Sequence, residues 1–230
     1  MAHNLVALLP MKANSNRVPN KNFKSFDGKP LFLWVLGTLL DIPAIEIVVI
    51  NTDARQTLSN HGIEETNRIL IRDRPIEICG DTVSMNSIIA DDIESVPSTS
   101  YLMTHTTNPL LGKTTIENAL RAFEEGVKRG VDSLFTVNRV QSRFYSESVE
   151  AINHDPQNLI PTQELTPWFE ENSCLYIFTR ESFSHTQARI GKNPMLFETP
   201  KLESLDIDTP ADWELALAVA RYSKIIGSAS

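Results

Sequence analysis

Short apolar runs alternate with segments of helical period along the first two-thirds of this 230-residue chain, and that alternation restricts the fold more than any other feature. Leu5–Leu9 reads as a buried strand. Leu31, Trp34, Val35 and Leu39 are three or four apart, as one face of a helix over Leu31–Leu40 requires. Glu46–Asn51 is a second strand, and Asp53 stands where an N-cap would start a helix over Ala54–His61, with Gly62 as its stop. Ile69–Ile71, Tyr101–Thr104 and Ser133–Val137 continue as strands, separated by helical patterns at Met85–Glu94 and Thr114–Lys128. Repeated strand–helix units predict an α/β fold: a mostly parallel sheet with helices on both faces.

The rhythm fails between Asn138 and Glu171. That stretch is polar, holds Pro156, Pro161 and Pro167, and is too long for an idle connection, so an inserted arm or lid is expected over residues 138–172. Phe144, Tyr145, Trp168 and Phe169 flank it and suit a dimer or lid contact better than a stacking platform. Regularity then returns, with strands at Ser173–Thr179, Pro194–Phe197 and Leu205–Ile207 and a final helix over Pro210–Tyr222. Thr209-Pro-Ala-Asp212 gives that helix an N-cap, a proline at its first position and a carboxylate at its third. One domain spanning residues 1–230, with the arm inserted, accounts for the pattern.

Charge narrows the partners. With 29 acidic against 21 basic residues the net charge is −8, which argues against a nucleic-acid partner. No apolar run approaches the ~20 residues needed to span a bilayer, so no membrane partner is expected and the cytoplasm is the natural compartment. Two cysteines make no disulfide framework, and none of the five histidines pairs with them at zinc-ligand spacing.

Against this acidic background, the loop after the first strand is locally basic. Lys12, Arg17, Lys21 and Lys24 are spaced by Asn14, Ser15, Asn16, Asn20 and Asn22. A buried strand emptying into a polar, cationic loop is an arrangement that holds a phosphate chain. At the far end, Ser204-Leu-Asp-Ile-Asp-Thr-Pro210 places Asp206 and Asp208 two apart, so both carboxylates can face one cation in an extended segment. Mg²⁺ takes one or two carboxylates and leaves its other positions to water and phosphate, which fits so sparse a set. Together the two ends suggest a metal–nucleotide site.

Pro10-Met-Lys-Ala-Asn-Ser-Asn-Arg-Val-Pro-Asn-Lys-Asn22, with Gly28-Lys-Pro-Leu31 after it, resembles the nucleotide loop of the acylneuraminate (sialic acid) cytidylyltransferases. Asn51-Thr-Asp53, Arg74-Pro-Ile-Glu-Ile-Cys-Gly-Asp81 and the Asp206/Asp208 segment resemble further motifs of that family in the same order, so the resemblance covers nearly the whole chain. It implies a nucleotidyltransferase fold of Rossmann-like or GT-A-like architecture with a dimerisation arm. It also implies a homodimer that uses CTP, a sugar acid and Mg²⁺. By resemblance Lys12, Ser15, Arg17, Lys21, Asn22, Arg74, Asp81 and Ser84 would contact the nucleotide, and Asp206 and Asp208 the metal. Lys12, Lys21 and the two aspartates would be catalytic. His105, Asn108 and Asn172 fall where the family meets its sugar. The chain departs from the family pattern at Lys12 (usually Arg), Asn16 (usually Lys), His105 (usually Gln) and Cys174 (usually Ala).

The implied reaction joins CTP to a nonulosonic, sialic-acid-like 2-keto sugar acid and releases pyrophosphate. The same chemistry on the eight-carbon acid Kdo or another acceptor stays open, as do a GT-A-type glycosyltransferase and a non-catalytic nucleotide-binding protein.

Overall fold

The structure is a computed structural model that describes residues 3–227. In chain order it contains β1 (His3–Leu8), a small hairpin of β2 (Ser25–Phe26) and β3 (Lys29–Pro30), α1 (Phe32–Leu40), β4 (Ile47–Thr52), α2 (Arg55–Asn60) and β5 (Ile69–Asp73). Then come α3 (Met85–Ser95), β6 (Ser98–Thr104), α4 (Lys113–Val127), β7 (Ser133–Val140), β8 (Trp168–Thr179), α5 (Arg180–Thr186), β9 (Pro194–Glu198) and α6 (Pro210–Gly227). Seven strands form one sheet in the order β5-β4-β1-β6-β8-β7-β9. All neighbours are parallel except at β8, which runs antiparallel to both β6 and β7.

Strand side chains alternate between two cores, as a period of two demands. Leu5, Ala7, Val48, Ile50, Leu102, Leu175 and Ile177 pack with α1, α2 and α4 on one face. Val6, Leu8, Val49, Tyr101, Met103, Tyr176 and Phe178 pack with α3 and α5 on the other. Strands buried on both faces read as continuous apolar runs, which is why they were legible. A third cluster joins Val18, Phe26 and Leu31 to Ile207, Trp213 and Ala216, tying α6 to the basic loop. Asp27 and Gly28, with φ of 47° and 97°, turn the β2–β3 hairpin, a conformation that asks for such residues.

Three expectations need correction. Asp53 does not cap α2: its Oδ1 accepts the Ala13 N–H at 2.7 Å, and Thr52 Oγ1 takes the Ala54 N–H instead. Leu205–Ile207 forms no strand. Its tie is the Ile207 N–H to the Thr107 carbonyl (2.9 Å), helped by Asn108 Nδ2 on the Leu205 carbonyl, without a ladder. The arm is not irregular at its base, because β7 runs on to Val140 and pairs it with Trp168 of β8. Trp168 to Glu171 are exposed, so this ribbon has no buried face to print an apolar alternation. The capping box of α6 is present: Asp212 Oδ2 accepts the Thr209 N–H at 2.7 Å, and Thr209 Oγ1 accepts the Asp212 N–H. Among the described residues no helix is long and apolar enough to cross a membrane.

Candidate functional site

A cleft of about 620 Å³ opens beyond the carboxyl ends of the central strands. It lies beside β1, where the chain first adds β4 on one side and later β6 on the other, the switch point at which open α/β sheets bind ligands. The loop after β1, the segment after β5, the start of α3, His105–Thr107 after β6, Ser173 of β8, Asp206 and Asp208 all line it.

The basic loop is held from beneath. The Leu9 and Met11 N–H groups donate to the Val49 and Asn51 carbonyls, extending the β1–β4 pairing past Pro10. Asn22 Nδ2 reaches the Lys12 carbonyl at 2.8 Å, and Asn22 Oδ1 accepts from Thr106 Oγ1 at 2.6 Å. Asn20, at φ 52°, folds the chain so that its carbonyl takes the Phe23 and Lys24 N–H groups. Its cations meet carboxylates. Lys12 Nζ pairs with Asp81, which also accepts Asn16 Nδ2 at 2.5 Å. Arg17 Nη2 stands 3.0 Å and Lys21 Nζ 3.3 Å from Asp208 Oδ1. Lys21 is only 9% exposed, and its ammonium also donates to the Ile207 carbonyl at 2.6 Å. The hydrogen bond from Lys12 holds the Asp81 carboxyl below its ordinary pKa, helped by Asn16.

Asp206 differs from Asp208. Its Oδ1 is buried and has no hydrogen-bond partner. Burial raises its pKa, a hydrogen bond from Thr107 opposes that, and the neighbouring Asp208 charge raises it further. An unpartnered carboxylate oxygen beside a second carboxylate, in a cleft that Lys12, Arg17 and Lys21 also line, fits a hard cation with oxygen ligands. Among the described residues no three His, Cys, Asp or Glu side chains form a metal cluster, so phosphate oxygens and water would complete such a shell.

Of the remaining expected site residues, Ser15 and Arg74 line the cleft. Arg74 nevertheless spends its guanidinium on the chain: Nε reaches Asn51 Oδ1 at 2.9 Å, and Nη2 the Asn51 and Met11 carbonyls. Ser84 caps α3 by accepting the Asn86 N–H. Asn108 is fully buried and does not face the cleft; Nδ2 lies 3.4 Å from the Leu205 carbonyl. Asn172 is likewise engaged with Asn138, Thr199 and the Cys174 N–H, so it positions Ser173 rather than facing a ligand. His105 does line the cleft. Burial first, then the charges of Arg189 and Lys21, push its pKa down to about 4, so its imidazole is neutral at physiological pH. Cys174 is fully buried and its thiol is pushed up to about 12, mainly by burial, as suits packing rather than chemistry.

Sequence reasoning missed Thr107 and Ser173. Ser173 sits at φ 57°, and no residue pattern announces that. It also missed the network behind Arg74: Asn51 Nδ2 donates to Asp91 (3.0 Å) and Asp92 (2.8 Å), and Arg72 pairs with both. Burial lifts the Asp92 carboxyl to about 6, against the pull of Asn51 and Arg72.

The sequence profile described as Cytidylyltransferase matches residues 6–225. The chain is 23% identical over 222 residues to a pseudaminic acid cytidylyltransferase of Campylobacter jejuni, covering 92% of this chain and 94% of that protein. It is 26% identical over 220 residues to an N-acylneuraminate cytidylyltransferase of Oncorhynchus mykiss, covering 92% of this chain and 49% of the longer fish protein. Among solved structures, a CMP:2-keto-3-deoxy-manno-octonic acid synthetase complexed with CTP superposes with a TM-score of 0.66. It shares 15% identity, with 96% of this chain and 99% of that one covered, and so supports the fold alone.

Proposed function

The chain belongs to the cytidylyltransferase family, and from that premise we propose that it joins CTP to a nonulosonic, sialic-acid-like 2-keto sugar acid, giving a CMP-sugar and pyrophosphate. The observation that carries this reading is the meeting of Lys12, Arg17 and Lys21 with Asp206 and Asp208 in one cleft at the switch point. Sequence relatives that act on pseudaminic and N-acylneuraminic acids support the acceptor class.

In this reading the sugar's anomeric hydroxyl attacks the α-phosphorus in line, and pyrophosphate leaves. Lys12, Arg17 and Lys21 exchange their carboxylate partners for phosphate oxygens and neutralise the departing charge. Asn22 pins the loop backbone while the cations change partners, so catalysis is mostly positioning and charge stabilisation. Asp206 and Asp208 would hold Mg²⁺, which supplies Lewis-acid polarisation of phosphate oxygens when bound. Arg74 fixes the cleft wall by bracing the Met11 carbonyl.

A single catalytic domain acting in the cytoplasm as a homodimer completes the proposal. The arm exposes Tyr145, Val149, Ile152, Leu159, Trp168 and Phe169, and Phe144 stacks on Trp168 with ring centroids 5.0 Å apart. So many apolar groups on one projecting segment suit contact with a second copy.

Pyrophosphate release from CTP with a panel of nonulosonic acids and Kdo, at fixed Mg²⁺, tests the reaction. Release with a nonulosonic acid is expected. Turnover of Kdo alone would move the acceptor class, and release of nucleoside phosphate from a nucleotide-sugar would replace the reaction.

A further inference from the structure

We propose that Arg189 binds the carboxylate of the acceptor, a role that rests on the sugar-acid reading above and names the group that would select the acid. Tyr101 and Met103 face the α3 side of the sheet, and Tyr176 pairs with Met103 on that same side. His105 follows Met103 by two residues and lines the cleft. The Arg189 guanidinium carbon lies 3.8 Å from the Tyr176 ring centroid, and Nη2 lies 3.5 Å from Glu171 Oε1. The Arg189 N–H donates to Asn86 Oδ1 at 3.3 Å, and Asn86 stands between the cleft-lining Met85 and Ile88. Tyr176 donates its hydroxyl hydrogen to Glu171 and accepts from Ser173 Oγ, 3.1 Å away, and Ser173 lines the cleft. Arg189 is thus held on Tyr176, Glu171 and Asn86, of which Tyr176 is a hydrogen-bond partner and Asn86 a chain neighbour of residues that line the cleft, and stands just behind that lining.

Charge gives the arrangement its meaning. The loop cations serve the phosphate end. At His105, the Arg189 charge adds to that of Lys21. A 2-keto sugar acid brings a carboxylate there, and a carboxylate in a partly buried pocket needs a cation. Stacking on Tyr176 fixes the guanidinium plane, while the one 3.5 Å pairing with Glu171 leaves most of its five N–H donors for a second carboxylate. The Arg189 side chain is 20% exposed, enough to meet a ligand.

The test compares the best sugar acid with its carboxamide analogue, in wild type, Arg189→Gln and Arg189→Lys, reading kcat/KM for the acceptor and KM for CTP. Wild type should prefer the acid by about ten- to a hundredfold, the size of a charge-assisted contact. Arg189→Gln should lose that preference with KM for CTP unchanged, and Arg189→Lys should keep part of it. A merely structural Arg189 would weaken acid and amide alike and leave their ratio intact, which overturns the proposal. Wild type that turns over no sugar acid at all overturns the acceptor reading and this assignment with it.

Discussion

Lys21 and Asp208, 187 residues apart in sequence, meet with Nζ 3.3 Å from Oδ1. The ammonium also holds the Ile207 carbonyl at 2.6 Å, so the basic loop and the aspartate segment are one structure rather than two motifs facing each other. Val18 and Ile207 share a core cluster beneath them.

Lys21 should therefore matter where Lys24 does not. Lys21→Met keeps the aliphatic packing but removes the charge, and should lower kcat/KM for CTP by about ten- to a hundredfold, the cost of a charge-assisted contact. Lys24 lies 4.4 Å from the Trp213 ring centroid and faces α6. Lys24→Ala should leave kcat/KM within a few-fold and cost about 0.5–1 kcal/mol of stability. Equal small effects on CTP kinetics would reduce the loop to a solvated basic surface.

Asp206→Asn separates stability from activity. Burial and the adjacent Asp208 charge both oppose the ionised form, so removing that charge should leave the thermal midpoint of the ligand-free protein unchanged or higher. Turnover should fall by about a hundredfold or more, because the amide cannot replace an anionic metal ligand. Chelation of Mg²⁺ should abolish wild-type turnover reversibly. Near-normal activity in the variant, or turnover that survives chelation, would remove the metal from the site.

Asp92 predicts a pH dependence of stability. Its folded pKa, about 6, lies above the ordinary 3.8, so between those values the native state binds more protons than the unfolded one. Stability assigned to this group is then present below about pH 4 and is lost as pH rises toward 6. Asp92→Asn should remove that component, so in chemical denaturation the difference between variant and wild type should slope across pH 4–7, the wild type losing ground as pH rises. Parallel curves would show that Asp92 stays ionised throughout the window.

His105 predicts selectivity. A neutral imidazole offers one donor and one acceptor on a rigid ring, whereas an amide offers both kinds of group on a flexible tip, so the pocket should prefer a sugar acid other than N-acetylneuraminate. His105→Gln should reorder the kcat/KM ranking of nonulosonic acids. With its pKa near 4, His105 should add no inflection to the pH–rate profile between pH 5.5 and 8. An unaltered ranking in the variant, or N-acetylneuraminate as the best wild-type substrate, counts against the assignment.

The arm predicts assembly. The purified protein should scatter light as a dimer, and Trp168→Glu with Phe169→Glu should shift it toward monomer with the cleft residues untouched. A monomeric wild type would leave the exposed apolar arm without its proposed partner.

The sequence by itself determined the sheet and most of its helices, because strands buried on both faces must be apolar throughout and their connecting helices must carry one apolar stripe. It also determined the chemical character of the site, since cations after β1 and paired aspartates before α6 are local patterns. Tertiary structure decided which of those groups face the cleft. Asn108 and Asn172 stand next to cleft residues in sequence, yet their amides turn to the Leu205 carbonyl and to Asn138 and Thr199, because Asn108 lies outside any strand or helix and Asn172 lies where the β7–β8 register shifts, and neither place has a readable period. Asp53 looked like a cap and instead anchors the Ala13 N–H, a partner 40 residues away. Arg189 is separated by more than 80 residues from His105, and only the antiparallel return of β8 beside β6 brings its charge to that residue. Local pattern fixes what an element is, whereas the partners of a polar side chain depend on contacts distant in sequence.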